Sequence, residues 1–265
     1  MSKLVGMLAP FRKNETFSTS QMSNATTNMR SLSIMPRYFD LITVINRDVD
    51  RQRWKHVEQQ FFNAGITNYQ RFSAVDGSRL TDEQVKRYLT ADAFLTIKSG
   101  VRTSHAQLSS FNQLACFLSH TTLWTELIKS KELSRTIMED DLSMMPDFLY
   151  RVGQTLNDIP SDFDILLWGD IEHARTPWSR IMPGQKWVRI RRFYGCQAYT
   201  IKKSAAQKLL SSCFPIDSQL DTFIFKEAAR LDLKIYVHHP CLIKQGKFPS
   251  TIQIKGDCMA CGRLQ

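Results

Sequence analysis

The chain has 265 residues, 43% of them hydrophobic and 23% charged, with 35 Lys+Arg against 25 Asp+Glu for a formal net charge of +10. This is ordinary globular composition, long enough for one large core or two small ones. The six cysteines lack the spacing of a disulfide framework, and no apolar run approaches the roughly 20 residues of a membrane span. A basic surface favours anionic partners, whether nucleotide phosphates, nucleic acid, acidic glycans or an anionic membrane face. With no periodic Arg/aromatic array or reader motif, only charge supports nucleic acid, and none is expected as a partner.

Residues 1–37 are rich in Ser, Thr, Asn, Met and Lys/Arg and read as a flexible or loosely docked arm. The start, Met1 to Ala9, is too short and too soon polar for a signal peptide, so a cytoplasmic setting is expected and the sequons at Asn14 and Asn24 read as chance. Leu41–Ile45 predicts a buried strand entering the polar loop Asn46-Arg47-Asp48. Trp54, Val57 and Phe61 predict a helix stopped by Gly65. Tyr69–Ala74 predicts a second strand closed by the turn pair Asp76-Gly77, and Thr81–Gln84 is a capping box before Val85 and Leu89.

Residues 97–111 read as irregular. Leu114, Phe117, Leu118, Thr121, Leu127 and Ile128 then mark a strong helix, and Thr136–Met138 a strand running into Glu139-Asp140-Asp141. Pro146 is expected as the first residue of a helix carrying Phe148, Leu149, Val152 and Leu156. Phe163–Trp168 reads as a buried strand ending at Gly169-Asp170, and 171–187 as a loop. Strands follow at Val188/Ile190 and Ala198–Ile201, then a helix capped by Ser204 through Leu209 and Leu210. A last helix carries Leu220, Phe223, Ile224 and Ala228, and Leu233–Val237 is a final strand. This alternation predicts an α/β sandwich with a mainly parallel sheet, whose ligands bind beyond the C-terminal strand ends. The chain divides into the arm 1–37, a domain over 38–256 and a tail 257–265 holding Cys258 and Cys261, a single CxxC that by itself lacks two zinc ligands.

The triplet Glu139-Asp140-Asp141 is the sharpest chemical signal. Three adjacent carboxylates repel one another, and a hard divalent cation offsets that repulsion. Residues i and i+2 of an extended segment point the same way, so Glu139 and Asp141 can share a pocket. The other reading is an acidic helix start.

Four blocks in order resemble glycosyltransferase family 25, which includes bacterial lipo-oligosaccharide and collagen galactosyltransferases and viral members. They are Ile42-Thr-Val-Ile-Asn46 with Arg51; Phe72-Ser-Ala-Val-Asp-Gly77; Cys116-Phe-Leu-Ser-His120 with Trp124 and Ile137-Met-Glu-Asp-Asp141; and Phe163–Leu167, Ala198-Tyr199, Pro215-Ile-Asp217, Asp221 and Pro240–Gln245 with Ser250. The chain departs from the pattern at Asn112-Gln-Leu-Ala115, where an acidic residue and a glycine are usual, and at Arg47, where a leucine is usual.

The resemblance implies a GT-A-like fold, a UDP-sugar donor, Mn²⁺ or Mg²⁺, inversion at the sugar carbon, and a glycan or glycoprotein acceptor. On it, Asp141 with Glu139 or Asp140 is expected to hold the metal and diphosphate, and Ile45, Asn46, Ala74 and Asp76 to border the nucleotide. Asp76 has a second reading as the holder of the Asp-Gly turn. Arg51 is either a phosphate partner or an exposed helix residue, and His120 either a structural hydrogen-bonding group or an active-site one. A late His, His238 or His239, is expected to complete the metal shell or to sit on a partly exposed strand. Inversion needs a base on the acceptor hydroxyl; Asp221 is the first candidate, with Asp217 and Asp170 behind it, capping being the other reading of the first two. The alternative class is a non-catalytic nucleotide-sugar or glycan binder that kept the fold, which the two departures motivate.

Overall fold

A computed structural model describes residues 41–169, 172–173, 182 and 184–249. The arm, the tail with its CxxC pair, Ser250 and Asp170 lie outside the described residues. In chain order the main elements are β1 (Ile42–Asn46), α1 (Arg51–Ala64), β2 (Tyr69–Ser73), α2 (Asp82–Lys86), α3 (Ala91–Ser99), α4 (Phe111–Lys129), β3 (Ser134–Glu139), β4 (Leu142–Met144) and α5 (Phe148–Gly153). They continue with β5 (Ile165–Gly169), β6 (Glu172–His173), β7 (Trp187–Ile190), β8 (Phe193–Tyr194), β9 (Ala198–Lys202), α6 (Lys203–Leu210), α7 (Leu220–Leu231), β10 (Ile235–His238) and β11 (Ile243–Gln245).

Local chemistry accounts for many of the boundaries. Gly65 ends α1 in the left-handed conformation, φ 72°, and its N–H returns to the last turn. Thr81 and Gln84 cap α2 reciprocally, as the sequence predicts. Ser110 caps α4 by accepting from Gln113 N.

Three expectations are corrected. The stretch from 97 is not wholly irregular, because α3 runs to Ser99 between Thr90 as N-cap and a left-handed Gly100. Pro146 precedes its helix, which begins at Phe148 after Asp147 in a left-handed turn; the residues before it are drawn into β4, paired with the distant β11. Ser204 lies inside α6, whose N-cap is Lys202 with no side-chain cap bond.

Seven strands form one sheet in the order β2-β1-β3-β9-β5-β10-β7. β2, β1, β3, β5 and β10 run one way, while β9 and β7 run against them. The sheet is therefore mainly parallel in direction but mixed in its pairing. Side chains alternate between two cores, as the two-residue period of a strand requires. Ile42, Val44, Met138, Leu166 and Trp168 pack with α1 and α5 on one face. Ile45, Ile137, Ile165, Leu167, Tyr199 and Ile201 pack with α4, α6 and α7 on the other. The result is the α/β/α sandwich that the sequence predicts.

Candidate active site

β1 and β3 are parallel neighbours in the sheet, with Ile45 opposite Glu139 in the register. Their C-terminal ends therefore stop side by side, on the side of the sheet where open α/β folds bind ligands. Because β9 runs the other way, the residues leading into it, Gly195-Cys196-Gln197, arrive at this same edge. A cavity of about 450 Å³ opens there. One side carries Asn46, Arg53 and Glu139-Asp140-Asp141; His105, Tyr194, Gln219 and Asp221 line it from other elements.

The three acids have different environments. Asp140 has both oxygens engaged, Oδ2 by Asn46 Nδ2 at 2.6 Å and Oδ1 by Arg53 Nη1 at 2.8 Å. Burial raises its pKa, partly countered by those two donors. Asp141 is pushed up to about 6 by burial and then by the charge of Glu139. Its Oδ2 accepts from Gln245 Nε2 at 3.2 Å, while its buried Oδ1 has no hydrogen-bond partner among the described residues. Glu139 is partly open, its side chain 21% exposed, with Oε1 3.3 Å from His120 Nε2.

Behind Glu139, His120 is tied to Tyr199 and through it to Trp124. Trp124 Nε1 donates to the Tyr199 hydroxyl at 2.9 Å, and that hydroxyl lies 2.8 Å from His120 Nδ1. Indole only donates, so the hydroxyl oxygen accepts from Trp124, and either the hydroxyl or Nδ1 can supply the proton of the second bond. His120 Nε2 faces Glu139 and is buried with no hydrogen-bond partner among the described residues.

This bears on metal binding. Cys116 Sγ, His120 Nε2 and a Glu139 oxygen lie within 4.8 Å of one another, a spacing that could hold an ion. An ion there would need Nε2 without a proton, the tautomer in which Nδ1 donates to the Tyr199 hydroxyl. Asp140 is saturated by Arg53 and Asn46. The open Oδ1 of Asp141 and the carboxylate of Glu139 remain, an all-oxygen pair of the kind that suits Mg²⁺ or Mn²⁺. These residues fit a hard divalent cation.

Asp221, in the first turn of α7, is also anchored. Its Oδ2 accepts from Gly195 N at 3.0 Å and its Oδ1 from Thr222 N at 2.6 Å. Burial raises its pKa and these two backbone donors pull it back in part.

The profile of glycosyltransferase family 25 (LPS biosynthesis protein) matches residues 39–224. The chain belongs to glycosyltransferase family 25. A glycosyltransferase 25 family member of Anopheles gambiae is 26% identical over 192 residues, covering 68% of this chain and 31% of that protein. Procollagen galactosyltransferase 1 of Danio rerio is 26% identical over 242 residues, covering 80% and 38%. Procollagen galactosyltransferase 2 of Homo sapiens is 23% identical over 248 residues, covering 80% and 37%. The chain thus spans between 31% and 38% of the length of these curated relatives. Among the described residues no helix is long and apolar enough to cross a membrane.

In this family 25 chain, Ile45, Asn46, Ala74, Glu139, Asp140, Asp141 and Asp221 all line the cavity. Other expected residues do not. Asp76 accepts from Ser78 N and Oγ, caps a short 3-10 turn and stands outside the lining, which fits the turn-holding reading. Arg51 is exposed at the start of α1. Asp217 is exposed, precedes α7 and accepts from Ser218 Oγ, so it does not share the α7 helix with Asp221. His239 is half-buried, with its N–H donated to Lys186 O, and His238 packs against Trp168 and Trp187; neither lines the cavity. Burial lowers the pKa of His238 to about 4. The place beside Asp141 belongs to Gln245.

Sequence reasoning did not name Arg53, Gln197 or Tyr194, and it named Gln113 and Gln245 only within family blocks, without a role at the site. Arg53 was legible: with Val57 and Phe61 it completes an i, i+4, i+8 series on the buried face of α1. Gln245 and Gln197 carry no local signal, because β11 and the approach to β9 reach the site only through long-range pairing. Both family departures face the cavity, since Arg47, Asn112, Gln113 and Ala115 line it.

Proposed function

We propose that this chain is an inverting, metal-dependent hexosyltransferase that moves galactose or glucose from a UDP-sugar to a hydroxyl of a glycan or glycosylated protein. The observation that carries this reading is that one cavity holds two acidic centres prepared differently: Asp141 with an open oxygen beside Glu139, and Asp221 clamped by backbone N–H groups. Family membership supplies the reaction class, and the names of the galactosyltransferase relatives support a hexose donor.

Glu139 and Asp141 would hold the cation, which when bound offsets negative charge growing on the departing diphosphate. Arg53 keeps Asp140 neutralised, so the turn after β3 stays closed around its two working carboxylates. Asn46 and Ala74 border the nucleotide. Asp221 accepts the proton of the acceptor hydroxyl as its oxygen bonds to the anomeric carbon and the carbon–oxygen bond to the diphosphate breaks. A carboxylate whose pKa is raised by burial is a stronger base than one in water. Arrival of the hydroxyl on the face of the sugar carbon away from the departing diphosphate would give inversion.

The test is a screen of nucleotide sugars for hydrolysis and for transfer to simple glycans, with and without Mn²⁺. Mn²⁺-dependent turnover of a UDP-hexose is expected. Nucleotide-sugar binding without turnover in every combination would favour the non-catalytic binder.

A further inference from the structure

Buried polar side-chain atoms nearly always find a partner, because leaving one unpaired costs about 1–3 kcal/mol. Among the described residues, few buried side-chain nitrogens and oxygens lack one, and several of these belong to residues around the cavity: Asp141 Oδ1, Gln113 Nε2, and both Nε2 and Oε1 of Gln197. Gln197 is 2% exposed and Gln113 is 4% exposed. Their residues line the cavity, and a polar guest there would give these buried atoms the partners they lack.

The two amides are held in defined places. Gln113 Oε1 accepts from Ser109 N at 2.6 Å and from Ser109 Oγ at 3.2 Å. Those bonds settle which end of the amide is oxygen, leaving Nε2 as an unpaired donor. Gln197 is fixed through its backbone, its carbonyl accepting from Glu139 N at 2.8 Å. Two residues earlier, Gly195 N holds Asp221. Gln197 therefore sits on the short segment that joins the acidic triplet to the Asp221 carboxylate.

We infer that Gln197, assisted by Gln113, is the reader of the transferred sugar, binding hydroxyls of a neutral hexose through its free amide oxygen and nitrogen. This rests on the proposed transferase reading and deepens it. The reacting carbon must lie between the cation that holds the diphosphate and the base that takes the proton, and Gln197 bridges those two places. Neutral amides match hydroxyls, which both donate and accept. Phosphates would call for positive charge, which neither amide carries. An amide presenting one donor and one acceptor pairs naturally with two adjacent hydroxyls. A site of this kind rejects a sugar lacking a hydroxyl, because its buried amide is then left unpaired.

The experiment titrates the full chain, with Mn²⁺ present, against UDP and against UDP-galactose and UDP-glucose by calorimetry. Gln197→Met keeps length and volume but removes both hydrogen-bonding atoms. UDP affinity is expected to stay within about twofold, while affinity for at least one UDP-hexose falls by about tenfold, the worth of a hydrogen bond. Gln113→Met should show the same split on a smaller scale, and it serves if Gln197→Met does not fold. Equal losses for UDP and UDP-hexose would overturn the inference by placing the amides against the nucleotide. Unchanged binding of all three would overturn it by leaving the amides to water. Failure of the wild type to bind UDP at all would instead remove the transferase reading, and this inference with it.

Discussion

His120 Nε2 lies 3.3 Å from Glu139 Oε1, and the imidazole is oriented from behind by the Tyr199 hydroxyl 2.8 Å from Nδ1. A fully buried Trp124–Tyr199–His120 chain thus ends on a carboxylate at the rim of the cavity. Tyr199→Phe removes the central hydroxyl and leaves an indole N–H and an imidazole nitrogen unpaired. It should lower stability by about 1–3 kcal/mol in denaturant unfolding and reduce transferase activity, because the imidazole beside Glu139 is no longer held in place. Wild-type stability and activity in Tyr199→Phe would show that the chain is not coupled to the site.

Asp141 titrates from about 6 in the fold against a reference of 3.8. A raised carboxyl pKa means that the fold prefers the protonated form. Its stabilising contribution is present in full below about 3.8 and is lost as pH rises through about 6. At pH 7.5 the ionised group is a cost on the order of 1–3 kcal/mol. In metal-free protein, Asp141→Asn should therefore melt higher than wild type at pH 7.5, and the difference should shrink toward pH 4. Mn²⁺ should raise the wild-type melting temperature at pH 7.5, and do so far less in Asp141→Asn, a comparison that thermal melts make directly.

Arg53 and Arg51 separate burial from sequence pattern. Arg53 is 8% exposed and pairs with Asp140 at 2.8 Å, while Arg51 is exposed two residues earlier. Arg53→Met strands a buried carboxylate and should cost about 3–5 kcal/mol. Arg51→Met should change stability by less than about 0.5 kcal/mol. Urea midpoints of the two variants decide it.

Asp221→Asn keeps the shape of the side chain and an oxygen for one of the two backbone N–H groups, sets an NH2 against the other, and removes the base. Transfer should fall by about 10²–10⁴-fold with UDP-sugar affinity near normal. Asp217→Asn, at an exposed position outside the cavity, should leave transfer nearly unchanged. A larger loss at Asp217 than at Asp221 would move the base to the wrong residue for this geometry.

Much of this protein was legible in one dimension. The period-two and period-3.6 patterns, the Thr81–Gln84 box and Gly65 mark most strands and helices, because these signals act over a few residues. The run of β-branched residues into Glu139-Asp140-Asp141 located the acidic edge of the cavity for the same reason. The sequence pairs Glu139 with Asp141 and puts Asp141 first for a metal, but it does not show what each acid touches. Asp140 is saturated by Arg53 and Asn46, Asp141 keeps one oxygen open and Glu139 faces His120, and each distinction rests on a partner from another element. Nor could it set Gln197 or Gln245 at the site, since the antiparallel insertion of β9 and the pairing of β11 with β4 join residues far apart in the chain. Local pattern decides which residues become strand or helix. Which side chains meet across the cavity depends on the order and direction of the strands, and those follow from how the two apolar faces of the sheet are covered at once.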